Sequence, residues 1–198
     1  MEPAGSDTLE VTIRLPDWVA AYVATLPAVI PRRENRLRVA IELARQNVAH
    51  GSGGPFGAAV FDESGRLYAP GVNLVVPLGC SILHAEMVAL ALAQRRAGRF
   101  DLSAGGQRRF ELCASTEPCA MCFGAVPWSG VTSLVCGARD ADARDAGFDE
   151  GPKLQDWVGA LAERGIEVVR DLLRAEAVAV FRDYAAAGGA IYNAGKAR

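Results

Sequence analysis

The sequence is poor in the features that staple a chain, anchor it or make it strongly charged. Its five cysteines in 198 residues are too few, and too odd in number, for a disulfide framework. No apolar run reaches the ~18 residues of a membrane span. Residues 18–30 are apolar but follow Glu2, Asp7 and Glu10 and are broken by Pro27, and there is neither a basic leader nor a small-residue cleavage site. The expectation is a segment packed on the domain surface. There is also no excess of positive charge: 21 Lys and Arg stand against 23 Asp and Glu, for a net charge of −2 and a pI near 5.7. A protein whose affinity comes from phosphate contacts needs a basic footprint, so no nucleic-acid partner is expected and a small neutral substrate fits better. No repeat or low-complexity tract appears. What remains is 51% hydrophobic and 22% charged, a composition that folds compactly and excludes disorder. Cysteines that form no disulfide framework, two of them in a C-x-x-C pair, lead us to expect a cytoplasmic protein.

Residues 1–33 read as an irregular N-terminal extension, 34–187 as one domain, and 188–198 as a small-residue tail. Within 34–49, apolar Leu37, Ala40, Ile41, Ala44 and Val48 recur at helical spacing. The run His50-Gly51-Ser52-Gly53-Gly54-Pro55 stops that helix, and His50 suits its C-terminal end as a cation. Residues 56–61 and 66–72 form a hairpin around a turn at 62–65. Helices are expected at 82–97, 120–126, 156–164 and 175–187, and further strands at 109–115, 131–138 and 166–169. After the hairpin, strands alternate with helices, so the pattern predicts an α/β fold with helices on both faces of a mixed sheet.

Three candidate metal ligands stand out: His84 of His84-Ala85-Glu86, with Cys119 and Cys122 of Pro118-Cys119-Ala120-Met121-Cys122. Residues at i and i+3 share a helix face, so the two cysteines can meet one ion. Residues at i and i+2 do not, so His84 and Glu86 address one centre only from the opening turn of a helix. Pro118 marks such a strand-to-helix junction for the cysteines, and a helix N-terminus favours thiolate. Three protein ligands leave a fourth position for water on Zn²⁺, whose charge lowers the pKa of that water toward roughly 7. Glu86 then makes sense as a non-ligand carboxylate that moves protons. Each half-motif alone is weak: H-x-E triplets arise by chance, and C-x-x-C serves redox and structural zinc sites. The combination is far more specific, and Cys80, Cys113 and Cys136 read as core residues or bystanders.

H-x-E with P-C-x-x-C resembles the signature of zinc nucleobase deaminases. From about Glu34 to the C-terminus the chain resembles the cytidine-deaminase-like superfamily. Gly54-Pro55-Phe56-Gly57-Ala58, His84-Ala85-Glu86 and Glu117-Pro118-Cys119-Ala120-Met121-Cys122-Phe123-Gly124-Ala125 are similar to its purine branch. Gly147-Phe148-Asp149-Glu150-Gly151-Pro152 and Ile191-Tyr192-Asn193-Ala194 are similar to bacterial guanine deaminases, particularly a subgroup that also accepts ammeline.

The resemblance implies a three-layer α/β/α sandwich with a central mixed five-stranded sheet, a homodimer, and a nucleobase as substrate. It implies attack of zinc-bound hydroxide on C2 of guanine, giving xanthine and ammonia. Glu86 and Glu150 would be the catalytic carboxyls, with Glu150 at the departing amine and a solvated loop acid as its alternative. Asn73 would hydrogen-bond the base, though a turn asparagine after the second strand is the alternative. Phe56 would stack on the ring and Trp128 would wall the pocket, with ordinary core packing the alternative for both. Ala85 belongs to the substrate-binding group. Tyr192 would sit in a tail that covers the site, in its own subunit or a partner's, and a frayed terminus is the other reading. Ammeline, guanosine, cytosine or an aminated pterin remain rival substrates; the acidic pI and the tail argue against tRNA adenosine. A non-enzymatic zinc or thiol module is the rival class, and Glu86 discriminates against it.

Overall fold

A computed structural model describes residues 10–193 of the chain. The first nine residues of the expected extension and the last five of the expected tail, Ala194 included, lie outside the described residues. The hairpin is β1 (Gly57–Asp62) and β2 (Leu67–Val72). Its turn is held by Asp62 Oδ1, which accepts from the N–H groups of Ser64 and Arg66. With β3 (Phe110–Thr116), β4 (Ser133–Ala138) and β5 (Glu167–Val169) these make one five-stranded sheet of order β2-β1-β3-β4-β5. β1 is antiparallel to both neighbours, while β3, β4 and β5 are mutually parallel. The sheet is therefore mixed, as expected, and β1 alone runs against the other four strands. Pro70 is tolerated because β2 is an edge strand.

Alternation along the strands splits the core into two layers. Ala59, Phe61, Cys113 and Val135 face a cluster shared with α2 (Arg33–Ala49) and α8 (Arg174–Ala186). Ala58, Val60, Leu112, Leu134 and Cys136 face the opposite cluster, shared with α4 (Ala85–Ala97), α5 (Ala120–Ser129) and α7 (Trp157–Ala162). Cys113 and Cys136 are buried, one on each face of the sheet. A Cβ at Gly71 would fall on the carbonyl of Ala85 and lie 2.6 Å from the nitrogen of Ala89. The missing side chain thus lets α4 lie directly on β2, which sets where its first turn begins.

Three short helices depart from the sequence expectation. The segment read as irregular contains α1 (Asp17–Ala24), whose Val19 enters the core together with Ile30. Nearly every residue of α1 is apolar, which hides its period. α3 (Val75–Leu78) and α6 (Asp140–Asp145) are too short or too polar to show one. α4 begins at Ala85 rather than at 82, leaving His84 extended as its N-cap. α5 continues through Pro127 to Ser129. No helix among the described residues is long and apolar enough to cross a membrane.

Candidate metal centre and active site

Because four strands share a direction, the segments following β2, β3 and β4 and the segment preceding β1 meet at one edge of the sheet. This is where ligands collect in open α/β sheets. His84 is the N-cap of α4 and Cys119 the N-cap of α5, both in extended conformation. Sγ of Cys119 lies 3.5 Å from Nδ1 of His84. The donor atoms of His84, Cys119 and Cys122 all lie within 4.8 Å of one another.

The junction is held by the loop that follows α6. The Ala120 N–H, in the first turn of α5, donates to the Glu150 carbonyl at 2.9 Å. Nζ of Lys153 donates to the Pro118 carbonyl, also at 2.9 Å. Glu117, just before the cysteines, is buried and accepts from Nε of Arg170 at 2.6 Å and from the Asp140 N–H at 3.1 Å.

The donor set suits zinc: two sulfurs and one imidazole, buried or nearly so, with no fourth protein ligand among the described residues. The electrostatics already separate the two thiols. Hydrogen bonding with Cys122 pulls Cys119 down to about 4, against its burial. The same bond pushes Cys122 up, and burial adds to it. Burial works against a charged His84, but the sulfur of Cys119 beside it prevails and raises its pKa.

A cavity of about 330 Å³ opens on this cluster, lined by Phe56, His84, Glu86, Cys119, Glu150 and Tyr192 among others. Glu86 is 8% exposed and Glu150 6%. Burial, then the charge of Cys119, raises Glu86 to about 7. Burial, then Cys119 and Glu86, raises Glu150 to about 8. Two protonatable carboxyls thus face one space beside a metal site. Phe56, outside the ladder of β1, meets Phe148 edge-on with centroids 4.9 Å apart.

Asn73 directly follows β2 and is 1% exposed. Its Oδ1 accepts from the Val75 N–H at 3.2 Å, while its Nδ2 has no partner among the described residues. The Tyr192 hydroxyl is likewise buried without a partner, and its ring lies edge-on to Phe148 at 5.5 Å. Ala85 packs its methyl into the core. Only its backbone N–H, which has no intrahelical acceptor at the first helical position, is left for a contact. Trp128 corrects the sequence expectation: it is 77% exposed on the outer face of α5 and does not line the cavity. His50 is the C-cap of α2, and its ring stacks on Trp18 at 5.3 Å.

Among the lining residues that the sequence does not single out individually are two from segments that it does, Phe148 and Asn193. Phe148 joins the aromatic wall. Asn193 clips the tail to the loop, accepting from the Asp149 N–H and donating to the Gly147 carbonyl, each at 2.9 Å.

The family model of the cytidine and deoxycytidylate deaminase zinc-binding region matches residues 31–138. A solved guanine deaminase from Nitrosomonas europaea superposes with a TM-score of 0.85 at 48% identity, over 92% of this chain and all of that one. A structure in complex with 2,6-diaminopurine gives 0.85 at 50% identity, covering 95% of this chain and 98% of its own. Related structures with 8-azaguanine carry a single asparagine replaced by alanine, or a glutamate replaced by aspartate. The guanine deaminase of Bacillus subtilis is 36% identical over 117 residues, 59% of this chain and 71% of that protein. A family match from the start of α2 to the end of β4 spans both metal motifs, so this chain belongs to the cytidine and deoxycytidylate deaminase family and is a zinc-dependent hydrolase.

Proposed function

We propose that the chain hydrolyses guanine to xanthine and ammonia. The observation that carries this reading is the pair of buried carboxyls, Glu86 and Glu150, facing one base-sized cavity beside a three-ligand metal site. One acid suffices to move a proton from water to a ring nitrogen; a second is useful where an exocyclic amine must leave as ammonia. His84, Cys119 and Cys122 hold zinc, which when bound supplies the Lewis acidity that makes water a nucleophile at neutral pH. Glu86 accepts a proton from the attacking water and returns it to the ring. Glu150 binds the amine at C2 and helps protonate it as the carbon–nitrogen bond breaks. Phe56 stacks on the base, and the unpaired Nδ2 of Asn73 donates to an acceptor on its edge. The backbone N–H of Ala85 adds a further donor to the base.

The asparagine and glutamate replaced in the 8-azaguanine structures are separated by the same number of residues as Asn73 and Glu150. That spacing supports assigning both residues to the base.

Tyr192 covers the cavity as part of a tail that excludes water. Residues 34–187 form the deaminase domain and the described part of the tail, 188–193, its cover, with α1 a buttress from the preceding extension. The enzyme is a cytoplasmic homodimer; an exposed Trp128 beside Gly124 on α5, an apolar surface with no partner among the described residues, supports self-association.

The test is ammonia release by the zinc-replete protein on guanine, ammeline, guanosine, cytosine and adenine, with Glu86→Ala as control. Turnover of guanine that vanishes in the control is expected. Turnover of another ring in place of guanine overturns the substrate assignment, and silence on all of them overturns the enzymatic one.

A further inference from the structure

Asn47 is a polar residue on the apolar face of α2, three positions after Ala44, and it is completely buried. Such a group is costly unless fully hydrogen-bonded, and here it is. Its Nδ2 donates one hydrogen to the Gly54 carbonyl at 2.9 Å and the other to the Asn73 carbonyl at 3.0 Å. Its Oδ1 accepts from Oγ of Ser52 at 2.8 Å. That hydroxyl in turn accepts from Nε1 of Trp18 on α1 at 3.0 Å.

Gly54 and Asn73 stand on opposite sides of the entry to β1. The first leads through Pro55 into Phe56, and the Asn73 N–H donates to the Phe56 carbonyl at 3.1 Å. Bridging two carbonyls takes two donor hydrogens, and the Asn47 amide supplies both from one nitrogen, which serine, threonine and aspartate cannot do.

From this bridge we infer that Asn47 is a positioning residue for base recognition. By holding the backbones of Gly54 and Asn73 together, it fixes the Asn73 amide relative to the Phe56 ring without itself reaching the cavity. The inference rests on the guanine reading above. The ligand class it serves is a planar base that stacks on Phe56 and offers a hydrogen-bond acceptor at its edge.

The test is a double-mutant cycle on KM for guanine, with kcat, zinc content and urea stability measured alongside. Asn47→Ala should raise KM roughly tenfold, the scale of a lost hydrogen bond at a recognition group, with kcat within about twofold and zinc retained. In an Asn73→Ala background the same change should move KM by less than about twofold, because the group that Asn47 positions is gone. Penalties that multiply in full, or a loss of stability with KM unchanged, overturn the inference. Should Asn47→Ala fail to fold, Ser52→Ala removes only the hydroxyl that orients Asn47 and is judged by the same coupling to Asn73. Silence of the unmodified enzyme on guanine overturns the substrate reading and this inference with it; turnover with uncoupled penalties overturns the inference alone.

Discussion

Replacing Gly54 with alanine adds a single methyl group against Tyr192, which lines the cavity, and its cost follows from that one neighbour. Gly54 has no left-handed backbone angle, so alanine carries no conformational penalty there. Its Cβ would instead fall on the Tyr192 hydroxyl and lie 2.8 Å from Cε1 and Cζ of that ring. Carbon atoms rest at about 3.5–4.0 Å, so the ring has to withdraw by roughly 1 Å. It does not move alone. Asn193 is tied to Gly147 and to the Asp149 N–H, and on the other side the Tyr184 hydroxyl donates to the Ala190 carbonyl at 2.7 Å. The displacement is therefore carried into the loop that bears Glu150. Overpacking of this kind costs about 1–3 kcal/mol, and a comparable loss in the transition state lowers kcat/KM for guanine roughly tenfold. Urea denaturation of the zinc-loaded protein and steady-state kinetics read the two effects. The decisive comparison is Gly54→Ala in a Tyr192→Ala background, where the clash is absent and the stability penalty should fall below about 0.5 kcal/mol. A penalty that persists there refutes the reasoning, as does a Gly54→Ala enzyme as stable and active as its parent.

Glu86→Gln should keep its zinc, measured by metal analysis, and lose roughly 10²-fold or more in kcat, the scale of a missing acid–base group; a rate within tenfold of the parent would remove Glu86 from the mechanism. Cys122→Ser should release zinc and lower the thermal midpoint together, since metal binding at a structural junction is also folding energy. The hydrogen bond from Arg174 holds the Asp142 carboxyl below its ordinary pKa. A carboxyl depressed in the folded state stabilises above its unfolded pKa, and that contribution is lost as pH falls through the folded value. Parent and Arg174→Gln should therefore differ in urea midpoint above about pH 5, and the difference should shrink below about pH 4.

The metal centre was legible because its chemistry is local. Cys119 and Cys122 lie in a single turn, Pro118 marks the junction, and His84 with Glu86 can share a centre only from a helix start. The sheet was legible because buried strands are apolar and bounded by turns. What escaped was set by tertiary contacts or lay in elements without a period. α6 has one buried residue, Ala143, and is held by Arg144 pairing with Asp140 and by the Asp142 side chain accepting from the Arg139 N–H at 2.7 Å. α1 is apolar on almost every side, so no face declares itself until Val19 meets the core. Asn47 gave a signal, a polar group at an apolar position, but its meaning depends on Gly54 and Asn73, which are remote in the chain.

Trp128 shows how a structural constraint already in the sequence decides a residue's role. Cys122 must face the metal, and at about 100° per residue Trp128 lies about 120° round the helix from it. Val126 and Ser129 take the inward positions of the last turn and are buried, so the indole is turned to solvent. A tryptophan close in sequence to a zinc motif is thereby turned away from its own chain's pocket. Phe148 and Tyr192, far from that motif in the chain, supply the aromatic wall because the segments bearing them return to the same edge of the sheet. That edge also explains why one recognition segment precedes its strand while the others follow theirs. β1 alone runs in the opposite direction, so it is the start of β1, with Gly54 and Phe56, that meets the ends of β2, β3 and β4.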